Sequence, residues 1–283
     1  MSVRGNSGYK VVDKRFGTKT LDTNGMISRE QHYLERLNDR LKPYELRPPY
    51  PTVWLDAKAE YVPTTVLPPR ADAWLDRSGN GINAVGPGPG SSDDPYYNPI
   101  DTAFNNLGSV QFDANDYMET SDNALLDCTD GFTVYIVAKI ANYPTTYSFL
   151  LTFTNSTSWS QGWGLFYYSN NWRFFVNNWN NAATRVDMGS FTNYTSAHIF
   201  KLHYDKINIV GEIIGPSGIA EKTKAYTTVV TNPSAEGIRI ADGNSNTYQI
   251  NAKYGEILYY NSPLTAAEQL QAETYLKTKF NIS

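Results

Sequence analysis

From Thr52 onward the chain breaks into short apolar runs, many of them alternating with period two, separated by Gly, Pro, Asn and Asp. Such runs lie at Val110–Phe112, Phe132–Ile140, Ser148–Phe153, Gly164–Tyr168, Trp172–Val176, Ile199–Tyr204, Ile207–Ile213, Ala225–Val230, Gly237–Ile240 and Gly255–Tyr260. A period of two places alternate side chains on opposite faces of a strand, so about ten such runs in one stretch predict an all-β, two-sheet antiparallel sandwich. The residue usage agrees, with 14% aromatics, 21 Tyr and only 18% charged residues. The Gly- and Pro-rich stretch from Gly86 to Pro95 reads as a surface excursion.

Residues 1–51 read differently. Residues 1 to about 26 hold isolated apolar side chains without a sustained period, as an extended arm would. Ser28 to Gln31 spells a capping box, and Leu34, Leu37 and Leu41 follow on one helical stripe, predicting a helix over about 29–41 that Pro43 ends. Residues 43–51 hold Pro43, Pro48, Pro49 and Pro51 and form a stiff linker. The segment has too little apolar material to offset the entropy of ordering it, so it is expected to dock on a partner through Phe16, Leu34, Leu37 and Leu41. Residues 52–283 are the sandwich.

Charge narrows the partners. Residues 1–50 carry 10 Lys and Arg against 6 Asp and Glu, and the remainder carries 14 against 22. Neither part has the dense basic clusters of a nucleic-acid binder, and no nucleic acid is expected. No window is apolar enough for a signal peptide or a membrane span, so synthesis in the cytoplasm and no membrane partner are expected. Cys128 is the single cysteine, which leaves no intrachain disulfide and no cysteine zinc site. A homo-oligomer is compatible with the sequence.

A set of ordered motifs goes further. Val53-Trp54-Leu55-Asp56-Ala57 is followed by Trp74-Leu75-Asp76-Arg77-Ser78-Gly79-Asn80-Gly81, then by Val110-Gln111-Phe112-Asp113, Asp116-Tyr117-Met118, Phe132-Thr133-Val134 and Gly162-Trp163-Gly164. The end, Gly255-Glu256-Ile257-Leu258-Tyr259-Tyr260-Asn261-Ser262-Pro263-Leu264-Thr265, leads into a second capping box of Thr265 and Glu268 and a helix to about Lys279, with Lys277 and Lys279 in its last turn. Over roughly residues 52–280 the chain resembles the concanavalin A-like lectin/glucanase superfamily, in particular its laminin-G-like jelly rolls. The resemblance implies two antiparallel sheets packed face to face with a closing helix. It also implies a role in binding, adhesion or structure more often than in hydrolysis.

Three chemistries can be weighed on residues. Asp76, Ser78 and Asn80, with Gly81, place oxygens at alternate positions as in half of a calcium loop, but Pro87 stands where the bidentate carboxylate of such a loop belongs. A turn held by Asp and Asn side chains accounts for the same residues. Calcium is thus the one candidate cofactor, and no other is expected. Residues 155–181 hold Trp159, Trp163, Trp172 and Trp179 among Asn and Ser, which suits glycan stacking, with Trp159 and Trp179 as the candidates, or a packed hairpin. Of the three histidines His32 lies in the arm, leaving His198 and His203, and no closely spaced acid run of glycosidase type occurs. No catalytic residue is assigned and no enzyme is expected.

The combination leads to an expectation of a non-enzymatic virion structural protein. It would be a tailed-phage capsid decoration, cement or tail-associated protein made in the host cytoplasm and docked by its arm on other virion proteins. The alternative is a lectin-like receptor-binding module for a cell-surface glycan, and a second alternative is a glycoside hydrolase.

Overall fold

In the computed structural model, the described residues are 10–13, 17–20, 49–57, 61–63, 70–88, 91–113, 115–141, 147–155, 158–189, 196–243 and 248–283. The chain divides into two compact units, Met1–Glu45 and Leu46–Ser283. In the first, β1 (Lys10–Asp13) pairs antiparallel with β2 (Gly17–Thr20). Within the segment read as an extended arm, these two strands pair over four residues each. The expected helix over 29–41 and Phe16, Leu34, Leu37 and Leu41 lie outside the described residues.

The second unit is the sandwich. Its strands are β3 (Val53–Asp56), β4 (Tyr61–Pro63), β5 (Ala71–Trp74), β6 (Ala84–Val85), β7 (Tyr96–Asp101), β8 (Leu107–Phe112), β9 (Met118–Thr120) and β10 (Phe132–Ile140). They continue with β11 (Ser148–Phe153), β12 (Trp163–Tyr168), β13 (Asn171–Val176), β14 (Arg185–Gly189), β15 (His198–Tyr204) and β16 (Asn208–Gly215). The last are β17 (Gly218–Ala225), β18 (Arg239–Ile240) and β19 (Ala252–Tyr260), before helix α1 (Ala266–Phe280). One sheet runs β17-β16-β15-β10-β19-β8-β7, and the other runs β14-β13-β12-β11-β18-β9-β6-β5-β4. β10 covers one side of β19, while β3 and β8 share the other, pairing with Glu256–Tyr259 and Ala252–Tyr254 respectively. All described pairings are antiparallel, as a jelly-roll sandwich requires.

The core lies between the sheets and is filled by alternate residues, such as Phe132, Val134 and Ile136 of β10 against Trp163, Leu165 and Tyr167 of β12. At its centre Trp163 stacks on both Phe132 and Tyr259, with centroids 5.3 and 5.7 Å away, and those two rings also meet at 6.4 Å. Tyr hydroxyls in such a core need acceptors: Tyr259 donates to the Leu126 carbonyl at 2.9 Å and Tyr254 to that of Leu150 at 2.8 Å.

Helix α1 begins at the capping box that the sequence predicts, with the Thr265 amide donating to Glu268 Oε2 at 2.8 Å and the Glu268 amide to Thr265 Oγ1 at 3.4 Å. It ends at Asn281 in the left-handed region. Polar groups pin it to the outer face of the first sheet. Lys279 Nζ lies 2.8 Å from both Asp56 Oδ2 and Glu256 Oε2, while Tyr275 and Trp54 donate to Glu256 Oε1. Burial, and then the neighbouring Asp56 charge, push Glu256 up to about 7 despite the opposing Lys279. Lys201, itself paired with Glu212, reaches Glu273 of the helix at 2.9 Å. A bulge at Gly255 makes room for the helix end, since a Cβ there would sit 2.7 Å from the Phe280 ring and 2.8 Å from that of Phe104.

The edges are where local reading and structure part. Pro99 sits in β7, which is an edge strand, as proline requires. The run Ala225–Val230 is not a strand: β17 precedes it and ends at Ala225. Side chains claim its backbone instead, with Tyr204 Oη donating to the Thr228 carbonyl at 2.8 Å and Asn177 Nδ2 to that of Val229 at 3.0 Å.

Candidate binding face

The outer face of the second sheet departs from the usual rule that the solvent side of an antiparallel sandwich is polar. The register sets Phe166 of β12 beside Arg173 of β13, and Gly164 beside Phe175. Phe149, Phe166 and Phe175 are fully buried on this outer face, apart from the main core. Gly164 permits this, because a Cβ there would approach the Phe175 ring to 2.6 Å. Five half-buried rings cover the three phenylalanines: Tyr147, Trp159, Tyr168, Trp179 and Tyr248. Tyr147 and Tyr168 stack in parallel at 3.8 Å. Trp159 meets Trp179 edge-on at 5.3 Å and Tyr248 at 5.2 Å, and Tyr147 meets Trp179 at 4.8 Å. The Arg173 guanidinium lies 4.9 Å from the Tyr168 ring centre.

The asparagines around the two tryptophans hold the turns that carry them. Asn155 Oδ1 accepts from the amides of Ser160 and Gln161 at 3.0 and 3.2 Å, Asn178 Oδ1 from Asn180 at 3.0 Å and Asn181 Oδ1 from Ala183 at 2.9 Å. Trp159 itself has a φ of 44°, an unusual conformation for a bulky residue, and its carbonyl accepts from the Trp179 amide at 3.3 Å. The result is a set of interlocked rings, fixed from below, whose remaining exposed surface is aromatic. Such a surface suits the apolar C–H face of a pyranose, with tyrosine hydroxyls at its margin.

Of the four tryptophans in residues 155–181, Trp159 and Trp179 come together on this face, whereas Trp163 and Trp172 belong to the core. Tyr147, Tyr168, Arg173 and Tyr248 were not singled out from the sequence. The alternation of β12 and β13 could have supplied Tyr168 and Arg173, but nothing local joins Tyr248 to them.

Asp76, Ser78 and Asn80 sit elsewhere, in the turn between β5 and β6. Asp76 Oδ1 accepts from the amides of Trp54 and Ser78, each at 2.9 Å, and Oδ2 accepts from Ser78 Oγ at 2.7 Å and the Ile82 amide at 3.0 Å. Asn80 donates its Nδ2 to the Thr52 carbonyl at 2.9 Å, as Ser78 Oγ does at 3.0 Å. These bonds tie the turn to the start of β3, and they take up both oxygens of the carboxylate. Among the described residues no group of three or more His, Cys, Asp or Glu is placed to hold a metal ion.

The two histidines of the sandwich and its cysteine are interior. His203 is buried with Nδ1 2.8 Å from Thr133 Oγ1, and burial lowers the pKa of both His198 and His203. Burial pushes the Cys128 thiol up to about 12, which removes thiolate chemistry near neutrality.

No protein-family model matches the sequence, and no curated protein matches it. Solved structures do match the fold. The receptor-binding domain of a botulinum neurotoxin C/D mosaic serotype aligns with a TM-score of 0.55 at 14% identity, over 79% of this chain and 50% of that one. The binding domain of botulinum neurotoxin DC, solved in complex with rat synaptotagmin II, aligns at 0.53 and 13%, over 78% and 51%. The binding domain of Paraclostridial Mosquitocidal Protein 1 aligns at 0.53 and 12%, over 80% and 52%. This chain thus spans about half the length of these structures, and what it shares with them is the fold, a jelly-roll β-sandwich.

Proposed function

We propose that this protein is a non-enzymatic, lectin-like recognition module that binds a cell-surface glycan through the aromatic face of its second sheet. One observation carries the reading: a sheet face that water would otherwise cover is built from eight aromatic rings, five of them only half-buried and closing over three that are fully buried. Ordinary surface economy would place polar side chains there, and a contiguous apolar patch marks an interaction surface. The sandwich of the neurotoxin and mosquitocidal binding domains supports the reading by likeness of architecture alone. The virion reading rests on docking residues outside the described ones, and nothing in the sandwich favours it. The two meet if the module serves as the receptor-binding part of a particle. A glycan array with the full chain tests the proposal. Binding that falls at least tenfold in Trp179→Ala, with the melting temperature of the variant held near that of the parent, is the expected result. An array with no bound glycan would overturn it.

A further inference from the structure

The aromatic face does not end in neutral surface. The strand register carries it directly into a row of cations: Phe175 of β13 lies opposite Arg185 of β14, and Arg173 opposite Asp187. Asp187 is shared, with Arg185 Nε at 2.9 Å and Arg173 Nε at 3.4 Å from its Oδ1. Two further cations come from the edge of the other sheet. Lys222 donates to the Asp187 carbonyl at 2.7 Å, and Lys224 donates to the carbonyls of Ala182 and Arg185. Two guanidinium groups thus share one carboxylate, and two lysines hold the backbone carbonyls beside it. Glu221 of β17 alternates with these lysines along the strand, and its charge adds to the rise of Glu212.

The lysines have a plain structural use, since capping the carbonyls of β14 protects an edge strand from pairing with other chains. That use explains their position and leaves the charge unexplained. Residues 51–283 as a whole are acidic, with 14 Lys and Arg against 22 Asp and Glu. Yet between Gly131 and Tyr204, the stretch that supplies most of the aromatic face, Asp187 is the sole carboxylate. The surface beside the rings is therefore depleted of negative charge and supplied with positive charge on a body of the opposite sign. The two features touch: Arg173 stacks on Tyr168, and Arg185 reaches the Trp179 carbonyl at 3.4 Å.

We infer that the aromatic face selects acidic glycans, with a sugar ring lying on the Trp179 and Tyr168 side and its carboxylate or sulfate directed at Arg173, Arg185, Lys222 and Lys224. This rests on the proposed glycan-binding reading and names the class of ligand. Guanidinium groups suit a planar carboxylate or a sulfate because their donors form a fixed fork, and the lysines add point charge from the rim. The part of this attraction that comes from the rim lysines is screened by salt, over about 8 Å at physiological ionic strength.

The test uses the full chain and titrates three probes: a uronate trisaccharide, a sialylated trisaccharide and a sulfated hexasaccharide. The carboxylated probes are each compared with their neutral methyl ester and the sulfated one with its desulfated form, at low and at high salt. The expected result is an acid form bound at least tenfold more tightly than its neutral counterpart at low salt. That ratio should fall toward one at high salt and in a Lys222→Gln/Lys224→Gln variant, and also in Arg185→Gln. Which probe binds separates carboxylate from sulfate. Equal binding of acid and neutral forms, or a ratio unmoved by both variants, would overturn the inference while leaving the face a neutral-sugar site. Absence of binding to every probe, charged or neutral, on a folded protein would overturn the inference together with the reading beneath it.

Discussion

Replacing Lys279 by Met should unlatch the closing helix. Lys279 Nζ sits 2.8 Å from the carboxylates of both Asp56 and Glu256, and all three side chains are buried. Methionine keeps the length and apolar character of the stem and removes only the charge, which leaves two carboxylates facing each other. Arg77 stays on Asp56, while Tyr275 and Trp54 stay on Glu256. Removing one partner of a buried ion pair costs about 3–5 kcal/mol, and that is the loss expected in urea unfolding at alkaline pH. The pH dependence gives the sharper test. A carboxyl whose folded-state pKa lies above its unfolded value takes up a proton on folding, so its contribution to stability falls as pH rises. Glu256 already stands at about 7 because of burial, and Lys279 is the largest influence holding it down. Without Lys279 it stays protonated to higher pH than in the parent. The stability gap between parent and variant should therefore be small near pH 5 and widen as pH rises through about 7, with a slope of at most about 1.4 kcal/mol per pH unit for one group. A Glu256→Gln/Lys279→Met double variant should flatten that slope. A gap below about 1 kcal/mol, or one of constant size between pH 5 and 9, would refute the latch as an electrostatic device.

Three further outcomes follow from packing and turns. Trp163→Ala removes the ring stacked on Phe132 and Tyr259 and should cost about 3–5 kcal/mol by chemical denaturation, with loss of near-ultraviolet dichroism. Asp76→Ala strands the amides of Trp54, Ser78 and Ile82 and should cost about 2–4 kcal/mol, while calcium or a chelator should leave the parent's melting temperature unchanged. A calcium-dependent rise in melting temperature, absent in Asp76→Ala, would instead favour the calcium reading. Thr265→Ala breaks the capping box and should cost about 1 kcal/mol, an effect that Thr265→Ser should largely spare.

How far the sequence reached depended on how local the determining signal was. The helix at Ala266–Phe280 was legible because its cap is spelled out within four residues, Thr265 to Glu268. Strands such as Phe132–Ile140 were legible because an unbroken apolar run, Val134 to Ala138, forms their middle. Ala71–Trp74 and Tyr96–Asp101 carry too few such residues, and only their partners make them strands. The candidate face was half visible. Both sides of β12 read as apolar, and the structure buries Phe166 on one side and Leu165 on the other. Tyr248, which completes the ring set, is brought to Trp159 by a sheet crossing that no window of sequence encodes.

The placement of β19 bears on how the protein is made. This strand lies at the middle of its sheet, with β10 on one side and β3 and β8 on the other, yet it is the last strand of the sandwich. While a ribosome is still short of Tyr260, that sheet consists of three unconnected parts, β17-β16-β15-β10, β7-β8 and β3. They cannot join until β19 emerges and pairs with β10, β8 and β3. Vectorial synthesis of the sandwich thus leaves its most cooperative step to its last strand, and closure of this sheet is expected to be slow and to wait for β19. Chaperone capture of nascent chains should concentrate on those arrested before residue 252 and fall once residue 260 has cleared the exit tunnel.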